Sequence, residues 1–179
     1  VTTVDREERF SRIVREHGDA VYRYLRRRHQ GADATDAEDL LADVMTVAWR
    51  KLDDIPEGAE APWLFGVARH RLSNARRRRA RRDRISATMR PVPPSHAAED
   101  EAVADLQLRA ALWQLTEKER EVITLSAWEG LSPSELGVAL GISVNAAAVR
   151  LSKAKSRLLE LLSETGAESP APAATRTVQ

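Results

Sequence analysis

Nine arginines fall between Arg69 and Arg84 against one aspartate, a local charge of +8 in a chain of 179 residues whose formal net charge is +1. Everything outside that run is therefore acidic by seven charges. Guanidinium groups at this density repel one another unless an anion lies close. Their natural counterpart is a phosphate backbone, whose neutralisation yields an affinity that falls steeply with salt. The arginines continue an apolar-faced helical pattern that begins at Trp63, so they are mounted on a folded element. Nucleic-acid binding is the first expectation.

A second charged group has the opposite sign. Asp36, Glu38, Asp39 and Asp43 crowd the start of one helical segment. Such carboxylates could hold magnesium, but no further carboxylate is placed to complete a site, and acids in a first turn already suit the positive helix end. The chain has no cysteine, which excludes disulfides and thiolate metal sites and points to a reducing, cytoplasmic compartment. No phosphate-binding glycine loop, metal-spaced histidine cluster or nucleophile motif appears. No catalytic residue, metal or cofactor is expected, and the chain is read as not an enzyme. Of four histidines, His70 alone adjoins the basic run; His17 belongs to an apolar face, and His29 and His96 read as exposed. No apolar run approaches the ~18 residues of a membrane span, so no membrane partner is expected.

The elements that must position these groups are helices. Apolar residues are 42% of the chain, aromatics 4%, and glycine and proline are sparse. Phe10, Ile13, Val14, Val21, Tyr24 and Leu25 form one helical face ahead of Gly31. Thr35 and Glu38 are spaced as a capping box for a second helix, with Leu40, Leu41, Val44, Val47, Ala48 and Leu52 inward. Pro56 and Gly58 mark a turn, and Pro62 suits the first position of a third helix. A proline-bearing stretch follows.

The second half contains two more capping boxes, Thr116–Glu119 and Ser132–Glu135, and a left-handed stop at Gly141. The expected architecture is all-α: two small helical domains joined by a flexible linker, the C-terminal one a helix-turn-helix. The boundaries are 6–84, a linker at 85–100, 101–162, and a disordered tail at 163–179. Trp49 and Trp113 are expected in the cores.

The short helix ending at Gly141 and the longer one capped by Ser143 have the layout of a DNA-reading helix-turn-helix. Val144, Ala147, Leu151, Ala154 and Leu158 share one side of the second helix. Ala146, Val149, Arg150, Lys153 and Arg157 lie roughly opposite. Small residues near its start permit approach to base edges, and cations further along meet phosphates.

Three runs, in order, resemble a known family. The segment from Asp36 to Arg50 resembles the polymerase-binding helix of extracytoplasmic-function (ECF) sigma factors, members of the sigma-70 family. The segment from Ala61 to His70, with the arginines after it, resembles their promoter −10 helix. The runs Leu115–Leu125 and Glu129–Gly137 resemble the start of their −35-binding domain. The resemblance covers about residues 8 to 162.

It implies a sigma factor that binds core RNA polymerase and directs initiation at a specific gene set, with an anti-sigma factor as a possible further partner. It implies polymerase contacts at Asp36, Glu38, Asp39, Leu40, Ala42, Asp43 and Val47. It implies −10 DNA contacts at Trp63, His70, Asn74, Arg76, Arg77, Arg78, Arg79, Arg81 and Arg82. Contacts to −35 DNA are implied at Ser132, Ser143, Asn145, Ala146, Val149, Arg150, Lys153 and Arg157. The family usually carries asparagine where this chain has His70, a cation at Ala148 and a small polar residue at Val149; Val149 offers only a thymine-methyl contact. The rival reading is a one-component helix-turn-helix regulator acting without polymerase.

Overall fold

In the computed structural model, which describes residues 3–28, 34–85 and 103–167, every regular element is helical. The N-terminal module consists of α1 (Thr3–Arg28), α2 (Ala34–Arg50), a single 3-10 turn at Leu52–Asp54 and α3 (Glu60–Ile85). The C-terminal module consists of α4 (Val103–Gln114), α5 (Glu117–Ala127), α6 (Pro133–Leu140) and α7 (Val144–Ala167). The expected linker, apart from Ile85, and the tail beyond Ala167 lie outside the described residues, as do His29, Gly31 and His96.

In the N-terminal module the three helices pack pairwise around Ile13, Val21, Leu25, Val44, Ala48 and Leu64, each 1% exposed or less. Arg9 ties α1 to the far side of the module. Its guanidinium donates to the carbonyls of Leu52 (2.8 Å) and Ile55 (2.6 Å), at the end of the short turn.

In the C-terminal module both predicted capping boxes form. The Thr116 amide donates to Glu119 (2.9 Å) and the Ser132 amide to Glu135 (2.8 Å), while each hydroxyl accepts from the backbone three residues on. Gly141 takes the left-handed conformation at φ 66°, and the Ile142 amide closes the end of α6 on the Gly137 carbonyl at 3.0 Å. Ser143 caps α7 by accepting from the Ala146 amide at 3.2 Å.

Several expectations are corrected. Helix α2 already includes Ala34, so Thr35 lies inside its first turn and is not the cap. Helix α3 opens at Glu60, which makes Pro62 the third helical residue, still within the turn where a missing amide proton costs nothing. Trp49 and Trp113 are 38% and 49% exposed, not core. Each lies under a guanidinium instead, Trp49 beneath Arg6 (5.6 Å to the ring centre) and Trp113 beneath Arg120 (4.7 Å). Val14 and Val144 also face outward, at 37% and 52%. Helix α7 runs on to Ala167, past the point at 163 where composition turned toward disorder.

Helices α3 and α6 pack on each other, so the two modules are docked. Buried residues form one continuous apolar cluster from Ile13 in α1 to Leu161 in α7.

Candidate nucleic-acid interface

Helix α3 divides its faces by chemistry. Leu64, Phe65, Ala68 and Leu72 are buried against α1 and α2. His70, Asn74, Arg77, Arg78, Arg79 and Arg81 are exposed, and Trp63 is partly buried near the start of the helix. The side chain of Arg82 lies outside the described set. Burial and then the neighbouring charges of Arg69 and Arg77 push the His70 imidazole below its ordinary range.

Not every arginine of the run is open to solvent. Arg76 is only partly exposed and is engaged within the chain, donating to the Glu117 carboxylate and to the Arg28 carbonyl, both at 3.0 Å. Arg69 reaches Glu121 at 3.6 Å, with a long contact of 3.5 Å to the Leu140 carbonyl. Arg76, expected on a DNA backbone with its neighbours, is paired within the chain in this arrangement.

Helix α7 presents Asn145, Ala146, Val149 and Lys153 to solvent, with Arg150 partly covered. Ala147, Leu151 and Ala154 are buried beneath them, so the division into packing and reading sides is present. Two expected DNA contacts are occupied: Ser132 and Ser143 spend their hydroxyls on caps. Arg157 donates to Glu160 at 3.0 Å.

On α2, Asp36, Glu38, Asp39, Ala42 and Asp43 are exposed and Val47 is partly so. Leu40 differs. It is 6% exposed and packs into the core, leaving it no surface for a partner. Among the described residues no group of three or more histidine or carboxylate side chains converges as a metal would require. No single described helix is long and apolar enough to cross a membrane.

The structure brings Trp63, His70 and Asn74 together with Val47 and Lys51 along one wall of a cleft of about 350 Å³. Its other wall is Val138, Ala139 and Gly141, from the helix-turn-helix. The acidic face of α2 and the reading face of α7 are separate surfaces.

Sequence reasoning missed Glu117, Glu121 and Glu129, which hold Arg76, Arg69 and Arg27 across the modules. It also missed Arg120, whose guanidinium donates to the carbonyls of Leu112 (2.6 Å), Trp113 (2.8 Å) and Leu115 (2.8 Å) at the end of α4. An arginine a few residues past a helix end is a weak signal for the second; the first has no local signal.

A basic helix and a helix-turn-helix among the described helices have the layout of a DNA-binding protein. Residues 13–82 match the family described as sigma-70 region 2, and residues 105–158 match sigma-70 region 4. The RNA polymerase sigma factor NccH of Alcaligenes xylosoxydans xylosoxydans is 30% identical over 162 residues, covering 86% of each chain. The ECF RNA polymerase sigma factor SigL of Mycobacterium tuberculosis is 31% identical over 156 residues, covering 84% of this chain and 87% of its own.

Among solved structures, the complex of CnrH with the cytosolic domain of CnrY aligns at TM-score 0.56 and 30% identity, over 89% of both chains. The complex of the sigma factor RpoE with the anti-sigma factor NepR from Bartonella quintana aligns at 0.59 and 27%, over 80% of this chain and 92% of that one. The chain belongs to the ECF RNA polymerase sigma factors. It is thus a subunit that binds core RNA polymerase and directs it to promoter DNA, and the one-component regulator is set aside.

Proposed function

We propose that three surfaces of this sigma factor divide its work. The exposed acidic face of α2, comprising Asp36, Glu38, Asp39, Ala42 and Asp43, docks on core polymerase. Trp63, His70, Asn74 and the arginines Arg76 to Arg82 hold the −10 element, partly as single strand, with bases stacking on the indole and phosphates on the guanidinium groups. Asn145, Ala146, Val149, Arg150, Lys153 and Arg157 meet the −35 duplex, with Ser132 and Ser143 fixing the ends of the helices that carry them. Residues 6–84 and 101–162 act as the two promoter-binding domains and 85–100 as their tether.

The subunit works in the cytoplasm without catalysis of its own. The observation that carries this reading is chemical: one acidic face and two basic faces are presented on three different helices of one chain. Because the sigma factor RpoE of Bartonella quintana was solved with an anti-sigma factor, we assign this chain the same kind of control, with an inhibitor clamped across both domains.

In vitro transcription with purified core polymerase on genomic fragments tests the assignment. Initiation at discrete promoters is expected. Charge reversal at Asp39 and Asp43 should abolish co-elution with core while leaving DNA binding intact, and Arg77→Ala with Arg78→Ala should do the opposite. A wild-type chain that fails to co-elute with polymerase lacking its specificity subunit overturns the reading.

A further inference from the structure

The four tryptophans differ in what covers them. Trp49, Trp113 and Trp128 each have a guanidinium over the ring, from Arg6 (5.6 Å to the ring centre), Arg120 (4.7 Å) and Arg27 (5.9 Å). Trp63 has none among the described residues, and it lines the open cleft of about 350 Å³ between α3 and the helix-turn-helix.

The polar groups of that cleft are not equally committed. Arg69 already answers Glu121 at 3.6 Å. Lys51 and Arg71 have no carboxylate partner among the described residues, and the side-chain amide of Asn74 makes no hydrogen bond with them. Val47, Val67 and Val138 add apolar surface, and the two walls meet where Gly66 lies against Ala139.

These groups together suit one kind of molecule. An indole beside an amide takes a flat heterocycle that stacks and offers donors and acceptors at its edge. Two unpaired cations take a chain of phosphates. The volume lies at the small end of ligand sites, roughly 300–1,000 Å³, which suits one nucleotide and not a duplex. An acidic peptide would satisfy the cations and leave the stacking surface idle.

We propose that this cleft is a binding site for a free nucleoside polyphosphate. The base stacks on Trp63 and meets Asn74, and the phosphates lie on Lys51 and Arg71. Val138, Ala139 and Gly141 face the ligand from the other wall, so it binds the docked arrangement of the modules and stabilises it by linkage. Because the base takes the indole, bound nucleotide excludes the −10 strand. That competition, though not the binding, rests on the assignment of Trp63, His70 and Asn74 to the −10 element.

Isothermal titration calorimetry of the full chain with GTP and with ATP tests the site. Inorganic triphosphate is the control that carries the charge and no base. One nucleotide per chain is expected, bound about tenfold tighter than the control, the scale of one stacked base. Lys51→Ala should weaken binding about three- to tenfold, the loss of one charge-assisted contact. Val138→Glu, on the opposite wall at a position 40% exposed, should weaken it at least as much by setting a carboxylate beside the ligand. Neither residue carries an assigned promoter or polymerase contact.

Equal affinity for nucleotide and inorganic triphosphate overturns the proposal, as does a lack of binding at millimolar nucleotide. A Val138→Glu variant that binds nucleotide as wild type does also overturns it. Should that variant lose helicity by circular dichroism, Val138→Phe, which fills the same wall, is decisive by the same readout. A forked promoter oligonucleotide should displace the nucleotide. Nucleotide that binds as expected and is not displaced upholds the site and strikes the −10 assignment instead, so the two readings fail distinguishably.

Discussion

Gly66 of α3 lies against Ala139 of α6 so closely that a methyl carbon on Gly66 would stand 3.0 Å from the Ala139 carbonyl oxygen. That is a backbone atom inside a helix and cannot swing aside. The absence of a side chain at this one position lets the basic helix and the helix-turn-helix meet.

A larger residue there should separate the modules without unfolding either. Leucine has a higher helix propensity than glycine by roughly 0.5–1 kcal/mol, so α3 itself is not weakened by Gly66→Leu. Small-angle X-ray scattering of this variant is expected to give a larger radius of gyration than wild type at equal helical content. An unchanged radius would show that the docking tolerates the extra volume.

Two glycines of the helix-turn-helix should fail for different reasons. Gly141 sits at φ 66° with nothing within 4 Å of a built methyl group, so Gly141→Ala costs only backbone strain, about 1–2 kcal/mol. A methyl on Gly137 would stand 3.0 Å from the Ile142 carbonyl oxygen, inside the turn. Gly137→Val is therefore expected to cost more than Gly141→Ala in urea unfolding and to loosen −35 duplex binding. The reverse order would contradict the geometry.

Arg120 joins α4 to α5 through three carbonyl oxygens from a single guanidinium. Replacing it by methionine keeps much of the stem and removes the donors. Those carbonyls close a helix end and have no substitute partner, so about 2–3 kcal/mol of stability should be lost, in the range for charged hydrogen bonds. Chemical denaturation of Arg120→Met against wild type measures it, and a difference within 0.5 kcal/mol, the scale of an ordinary surface substitution, would remove the role given to this side chain.

The capping boxes have an acid limit. Hydrogen bonds from Thr116 and from Ser132 hold the carboxyls of Glu119 and Glu135 below the usual glutamate range. A depressed folded value means that the stabilisation is present above the unfolded glutamate value and disappears as pH falls through the folded one. Stability of wild type should therefore decline on acidification below the ordinary glutamate range. The variant with Glu119→Gln and Glu135→Gln should be less stable than wild type at neutral pH and show a shallower acid decline. Parallel pH profiles would dismiss the caps as its source.

Local features of the chain were legible because their causes are local. A hydroxyl three residues ahead of a glutamate caps the helix at Thr116 and Ser132, a glycine in the left-handed conformation stops α6, and arginines on a helical stripe repel in any context. By itself the sequence determined the helices, the turn before α7, the two faces of α7 and the basic run on α3, along with the ordered motifs that mark a sigma factor. Only the tertiary structure decided that Trp49 and Trp113 lie beneath guanidinium groups, and that Arg69 and Arg76 face glutamates. Those outcomes depend on pairs such as Arg27 and Glu129, which stand far apart along the chain and share no periodicity. Which of many equivalent charges meet is a property of how two modules dock, and docking is set by the fit of surfaces around Gly66 and Ala139.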